Sequence, residues 1–329
     1  MKIVKLSICI PTYNRATYLD QTLASIINQI DADWVDDVEI CISDNASTDG
    51  TEELIANWRT KSLVRLVYAR NPENLGADRN YMRVVELATG EYCWFFGSDD
   101  LMAGGSLKRM LQEIRAVKDI YLCNRIECDI AMCPQRGRHW LASSELSQVF
   151  QLARKAEFRR YLQQAQSIGA LFSFLSSIIF KRARWNQYQI DPVFIGTAYS
   201  HVYMLLSFIP DGCDLSYIRD PLVLCRGQND SFESEGIVKR VMLDIEGYTL
   251  LMRKCSAANQ VAEDFLAVLR RERPVWRTLV FVRLRVSNDT WKKMATIFHS
   301  AKYGRVKVAL AGISRPLFVF LKKLRKLLA

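Results

Sequence analysis

Two adjacent carboxylates, Asp99 and Asp100, follow Cys93-Trp94-Phe95-Phe96 after only Gly97-Ser98, and that run is too apolar to be an exposed strand. Neighbouring carboxylates at the mouth of a buried strand repel each other unless a cation or hydrogen-bond donors compensate. A hard divalent ion, Mg2+ or Mn2+, held by one or two carboxylates and by substrate phosphate oxygens meets that need. The competing reading is a helix start, since acidic side chains favour a first turn and Gly104 to Val117 is helical in pattern. Asp44 ends another apolar run, where its carboxylate can accept from a base or a ribose hydroxyl. Tyr13 supplies an aromatic face and Arg79 a cation for a diphosphate. These parts suit a nucleotide carrying a second group on its phosphates.

Holding such residues on one edge requires an alternation of strands and helices. Ser7 to Ile10, Val38 to Ser43, Val64 to Tyr68 and Tyr92 to Phe96 read as strands, and Tyr18 to Gln29, Thr51 to Arg59 and Arg79 to Ala88 as helices. This alternation predicts an α/β fold, a mostly parallel sheet with helices on both faces, which binds ligands beyond the carboxyl ends of its strands. Each early strand ends in polar residues and turn formers: Pro11 to Arg15, Asp44 to Gly50, Arg70 to Gly76 and Gly97 to Asp100. Any one of these is compatible with an ordinary loop or helix cap. No Gly-x-Gly-x-x-Gly follows the first strand and no Walker lysine motif occurs, which disfavours dinucleotide oxidoreductases and P-loop ATPases.

The 329 residues are 50% hydrophobic, enough for one large or two ordinary domains and too many for a disordered chain. The net charge of +10 is localised: no acidic residue follows Asp289, ten basic residues lie between Thr290 and Ala329, and residues 1–289 are neutral. The nine cysteines are scattered through apolar runs, the pattern of buried thiols in a reducing cytoplasm. Cys123, Cys128 and Cys133 recur every five residues, too widely for a usual zinc pair. The N-terminus runs straight into a strand pattern without a signal-peptide core, and no apolar run reaches the ~18 residues of a membrane span.

Four ordered motifs then carry a family resemblance: Ile8 to Arg15, Ile42 to Thr51, Asn74-Leu75-Gly76 with Arg79-Asn80, and Ser98-Asp99-Asp100. Together they resemble the family 2 glycosyltransferases of the GT-A fold, a Rossmann-like nucleotide-diphospho-sugar transferase architecture. The resemblance implies an inverting transferase that uses a nucleotide-diphospho-sugar and a divalent metal. It implies that Pro11, Tyr13, Arg15, Asp44 and Arg79 hold the nucleotide and that Asp99 and Asp100 form the metal motif. Gly97 stands where many relatives have an acidic residue. Phe172 to Ser177, Ile195 to Val202 and Cys225 to Phe232 further resemble the abequosyltransferase branch of bacterial O-antigen glycosyltransferases. That branch implies a CDP-sugar donor of the CDP-abequose type and a lipid-linked oligosaccharide acceptor on a polyprenyl diphosphate.

An inverting transfer needs a base for the acceptor hydroxyl proton. Where relatives often carry an acidic residue, Gly196 to His201 has no carboxylate, so His201 is the candidate base, with Asp191 as the second candidate and a packed structural histidine as the alternative. Arg226 and Gln228 are expected to face the donor diphosphate from a closing loop, unless that loop is plain surface. Residues 1–235 are assigned to the transferase domain and 236–329 to a helical C-terminal region. In Pro316 to Ala329, Leu317, Phe320, Leu321, Leu324, Leu327 and Leu328 form an apolar stripe flanked by Lys322, Lys323, Arg325 and Lys326, the pattern of an interfacial helix on an anionic membrane or of a helix docked on the body. The expected location is cytoplasmic, peripheral on the inner face of the bacterial inner membrane, with no nucleic-acid partner. Another donor, a UDP-hexose or dTDP-sugar, and an inactive glycan-binding scaffold are the alternatives.

Overall fold

A computed structural model of the chain describes residues 3–142, 146–229, 236–256 and 261–313. Two compact units divide it, residues 1–229 and 230–329. The stripe between Pro316 and Ala329 lies outside the described residues.

The N-terminal unit begins with the predicted alternation: β1 (Leu6–Thr12), α1 (Ala16–Ile27), β2 (Val38–Asp44), α2 (Thr51–Lys61), β3 (Arg65–Arg70), α3 (Ala77–Glu86) and β4 (Tyr92–Phe95). Every residue of β1, β2 and β4 is buried, so both faces of the sheet are covered there, which explains the continuous apolar runs. The amphipathic α1 buries Leu19, Thr22, Leu23 and Ile26 at helical spacing. In α3 the buried set changes along the helix, from Asp78 and Asn80 at its start to Val84 and Val85 near its end. Its first turn therefore faces polar work and its last turn the core.

Next come β5 (Leu101–Met102), α4 (Ser106–Glu113), β6 (Ile120–Cys128), β7 (Pro134–Arg138), β8 (Gln148–Gln151), α5 (Lys155–Gln164), β9 (Ile178–Lys181), α6 (Arg182–Trp185), α7 (Ser200–Leu206) and β10 (Asp214–Arg226). The sheet order is β3-β2-β1-β4-β9-β6-β10-β5, with β7 added to β6 and β8 to β10. Strands β1 to β4 pair in parallel, but β9 is antiparallel to both β4 and β6. The sheet is thus mixed beyond β4 and less parallel than expected. The β10 register against β6 shifts around Pro221, a bulge where proline cannot donate to the ladder.

The C-terminal unit is helical: α8 (Ile237–Leu251), α9 (Ala262–Glu272), α10 (Val275–Arg283), α11 (Asn288–Ser300) and α12 (Arg305–Ile313). Its core includes Ile245, Tyr248, Phe265, Leu269, Leu279, Val282 and Phe298. Among the described residues no helix is long and apolar enough to cross a membrane.

Candidate active site

The ends of β1 and β2 lie in register, Thr12 beside Asp44, with Arg70 of β3 beside Asp44 in turn. Their loops are tied together, since Asn14 N donates to Ser47 Oγ at 2.9 Å and Thr48 N donates to Asn14 Oδ1 at 2.8 Å. Asn14 adopts φ 51°, a left-handed conformation that asparagine tolerates. Pro11 is buried in β1, whereas the next-but-one side chain, Tyr13, is 45% exposed and offers its ring to solvent.

Asp44 does a different job from the one expected. It is fully buried, its Oδ1 accepts from Ser47 N at 2.9 Å and its Oδ2 from the Tyr68 hydroxyl at 2.7 Å. One oxygen holds the loop and the other the β3 strand, and the carboxylate is closed off from solvent. Burial and then the Asp44 carboxylate push the Tyr68 hydroxyl up from its ordinary value. Beside it lies an asparagine network: Asn71 Nδ2 donates to Asn45 Oδ1 and Asn80 Oδ1, both at 3.1 Å, and Asn45 Nδ2 donates to Asn74 Oδ1 at 2.6 Å. The Asn74-Leu75-Gly76 motif is therefore part of the scaffold under the site. Arg79, one helical turn on, is exposed.

At the end of β4 the carboxylate pair divides. Asp100 is 4% exposed; its Oδ2 accepts from Ser176 Oγ at 2.5 Å and its Oδ1 from Arg226 N at 3.1 Å. Burial, reinforced by Asp99, pushes its carboxyl up to about 7. Asp99 turns outward, its Oδ2 accepting from Arg15 Nη1 at 2.9 Å and from Asn229 Nδ2 at 2.7 Å. Burial raises Asp99 too, and the Arg15 guanidinium opposes that rise. A Cβ on Gly97 would lie 3.0 Å from Asp100 Oδ2 and 3.1 Å from Ser176 Oγ, so the usual acidic residue would crowd the pair.

With both its oxygens committed, Asp100 is not placed as a second metal ligand. Among the described residues no group of three His, Cys, Asp or Glu side chains could hold a metal ion. Asp99, with a side chain 24% exposed, fits a hard cation that uses one carboxylate and takes its other oxygens from substrate phosphates and water.

Arg226 corrects the expected role of its loop. It is 7% exposed, and its guanidinium donates from Nε to Asp99 O at 2.9 Å, from Nη1 to Ile130 O at 2.6 Å and from Nη2 to Gln21 Oε1 at 2.6 Å. It is a strut beneath Asp99 and Asp100, not a group facing a diphosphate. A Cβ on the following Gly227 would lie 2.4 Å from Cys128 O, so only glycine lets the chain pass. Gln228 is exposed at φ 58°, and the turn it makes returns Asn229 to Asp99.

His201 also departs from expectation. It is 2% exposed, edge-on to the Tyr81 and Phe95 rings, with Nε2 3.0 Å from Phe172 O. A carbonyl oxygen only accepts, so Nε2 carries the proton and Nδ1, which has no hydrogen-bond partner, is the bare nitrogen. Desolvation lowers its pKa to about 4. A histidine sealed this way is a packed structural residue and does not reach an acceptor hydroxyl. Asp191 caps a short turn, its Oδ1 accepting from Val193 N at 3.1 Å, and is only partly buried.

Three contributors were not singled out from the sequence: Ser176, Asn229 and Asp78. Ser176 and Asn229 both sit inside stretches that carried the branch resemblance, which is the signal that pointed near them. Asp78 is 3% exposed; its Oδ2 accepts from Gly196 N at 2.7 Å and Ala198 N at 2.9 Å, and its Oδ1 from Ser200 N at 3.0 Å. It fixes the loop that enters α7.

This arrangement has relatives. The family model described as Glycosyl transferase family 2 matches residues 7–181. The abequosyltransferase RfbV of Salmonella typhimurium is 43% identical over 303 residues, covering 91% of this chain and 89% of that protein. Among solved structures, S. aureus TarS 1–349 in complex with UDP-GlcNAc superposes with a TM-score of 0.64 at 15% identity, covering 95% of this chain and 92% of that one. The mannosyltransferase PcManGT from Pyrobaculum calidifontis, in complex with GDP-Man and Mn2+, gives 0.52 at 16% identity over 96% and 88% of the two chains. With the family model spanning more than half the chain and RfbV similar along nearly all of it, this chain belongs to glycosyl transferase family 2 and is a glycosyltransferase of the GT-A fold.

Proposed function

We propose that this glycosyltransferase moves a deoxysugar, with CDP-abequose the favoured donor, onto a polyprenyl-diphosphate-linked O-antigen oligosaccharide with inversion at the anomeric carbon. The observation that carries this reading is the 43% identity to an abequosyltransferase across 91% of the chain. In the reaction an acceptor hydroxyl oxygen bonds to the anomeric carbon while the bond to the diphosphate breaks, the hydroxyl proton passes to a base and the nucleoside diphosphate leaves.

The exposed Tyr13 ring suits the base of the nucleotide, and exposed Arg79 and partly buried Arg15 suit its phosphates. Asp99 would hold Mg2+ or Mn2+ against the diphosphate, and such an ion supplies charge neutralisation for the leaving group. Arg226 and Asn229 keep Asp99 in place, and Ser176 holds the neighbouring Asp100 and Gly97. With His201 sealed in the core, Asp191 is the carboxylate that takes the base role in this reading. The basic stretch after Asp289 favours a protein peripheral on the inner face of the bacterial inner membrane, where a lipid-linked acceptor is met.

The test is transfer itself. Purified protein, a lipid-linked oligosaccharide acceptor and CDP-abequose, with Mg2+ or Mn2+, should give a product heavier by one dideoxyhexose by mass spectrometry. Product formed only from a UDP-hexose or a dTDP-sugar would replace the donor assignment, and nucleotide-sugar binding without transfer from any donor would indicate a scaffold.

A further inference from the structure

Helix α12 has two apolar faces, although packing on its own unit uses only one. It lies against α10 and α11 and buries Val308 and Ala311. Its seat is close and fixed: Arg283 Nε donates to Gly312 O at 3.3 Å, and a Cβ on Gly312 would lie 2.9 Å from Trp291 Nε1 of α11. At about 100° per residue, Val306, Leu310 and Ile313 fall on the side opposite Val308 and Ala311. They are 71%, 48% and 78% exposed. A single aliphatic side chain in water is ordinary, but three in line along one helix make a strip, and such strips mark interaction surfaces.

Charge decides what covers the strip. Exposed Arg305 and Lys307 border it, one on each flank, and no acidic residue follows Asp289 in the chain. A second copy placed face to face would set basic flank against basic flank. A bilayer with anionic headgroups instead offers phosphates to the flanks and an apolar layer to the strip. The pattern also continues beyond α12. From Val306 through Leu310 and Ile313, the alternating steps of four and three run on in the sequence to Leu317, Phe320, Leu324 and Leu327.

We propose that the outer face of α12 is a membrane-insertion surface, Val306, Leu310 and Ile313 entering the interfacial layer of an anionic bilayer while Arg305 and Lys307 meet lipid phosphates. This rests on the reading of a peripheral membrane protein and deepens it by naming the surface and the kind of attachment. Attraction between charges is screened by salt, whereas burial of aliphatic side chains is not.

The experiment is sedimentation of the purified full-length chain with vesicles, without donor or acceptor, at low and at high salt. The wild type should bind mixed phosphatidylglycerol and phosphatidylcholine vesicles saturably, about tenfold or more tightly than phosphatidylcholine alone, and should retain part of that binding at high salt. Val306→Ser/Leu310→Ser/Ile313→Ser should weaken binding about tenfold or more and remove the salt-resistant part, with unchanged thermal unfolding because the strip is exposed. Val306→Leu/Ile313→Leu, which keeps the apolar area, should bind as the wild type does. A wild type released completely by high salt would overturn the proposal whatever the variants do. A serine variant that binds like the wild type would also overturn it, yet leave the peripheral reading standing on charge alone. No vesicle binding at all would remove both. Self-association of the wild type that the serine variant loses, without a preference for anionic vesicles, would assign the strip to a second copy and overturn the proposal. Since neither donor nor acceptor is present, a wrong sugar assignment would leave every one of these results unchanged.

Discussion

Arg15 Nη1 lies 2.9 Å from Asp99 Oδ2, so the loop after the first strand closes onto the carboxylate at the end of the fourth. Asn229 completes the contact from the end of β10, with its amide 2.7 Å from the same oxygen and its carbonyl accepting from Arg15 Nη2 at 3.2 Å. Three segments far apart in sequence thus meet at one oxygen. In the proposed reaction an arriving diphosphate would offer Arg15 a second anion and free Asp99 for a cation.

Replacing either partner should therefore impair transfer. Asp99→Asn is expected to lower kcat/KM by about 100-fold or more, and Arg15→Ala by about tenfold, as for lost charge stabilisation at a leaving group. Steady-state kinetics decides, and a folded Asp99→Asn protein with wild-type turnover would remove Asp99 from the reaction.

Ser176→Ala tests the support below. Its hydroxyl donates to Asp100 Oδ2 and accepts from Gly97 N at 2.8 Å, so the alanine leaves both groups unpaired in the interior. A loss of about 2 kcal/mol in denaturant unfolding is expected, with a smaller effect on donor KM.

His201 makes stability depend on pH. Its folded pKa of about 4 lies below the unfolded value near 6.5, so the unfolded chain binds the extra proton between these limits. Stability from this residue is complete above about pH 6.5 and falls as the pH drops toward 4, by about 3 kcal/mol at most. His201→Gln should flatten that part of the curve. An equally steep loss in the variant would mean that the ring is not buried neutral.

Asp191→Asn addresses proton transfer. A kcat lower by about 100-fold or more and loss of the acidic limb of the pH–rate profile are expected, with unchanged donor binding. Wild-type kinetics would exclude it as the base.

Removal of residues 306–329 takes away Lys307, Arg315, Lys322, Lys323, Arg325 and Lys326. With each basic residue near an anionic surface contributing about 1 kcal/mol, the truncated protein should move from the membrane pellet to the soluble fraction. Unchanged sedimentation would remove the charge-based account of membrane association.

The sequence exposed the first half of the sheet because its signals are local: an apolar run, then turn formers, then a helix. It did not show that β9 enters antiparallel between β4 and β6, since periodicity identifies a strand and not its neighbour. The same limit governs the site. Asp99, Asp100, Arg15 and Arg226 are legible in the sequence as site candidates, and the structure brings all four together. What composition and spacing did not show was direction, for Arg226 points inward to Gln21 and Ile130 and Asp44 to Tyr68. His201 reads as a base because it is the titratable side chain of its loop whose unperturbed pKa suits the task, yet its environment is made by Tyr81 and Phe95, more than 100 residues earlier.

Asp78 has a consequence for portability. The loop from Gly196 to Ser200 contains no acidic residue, yet three of its backbone N–H groups close on a carboxylate lent by α3. A chimaera that imports this loop without an acidic side chain at the place of Asp78 would strand three donors. Exchange of this loop between related chains therefore has to be done in pairs, loop with helix.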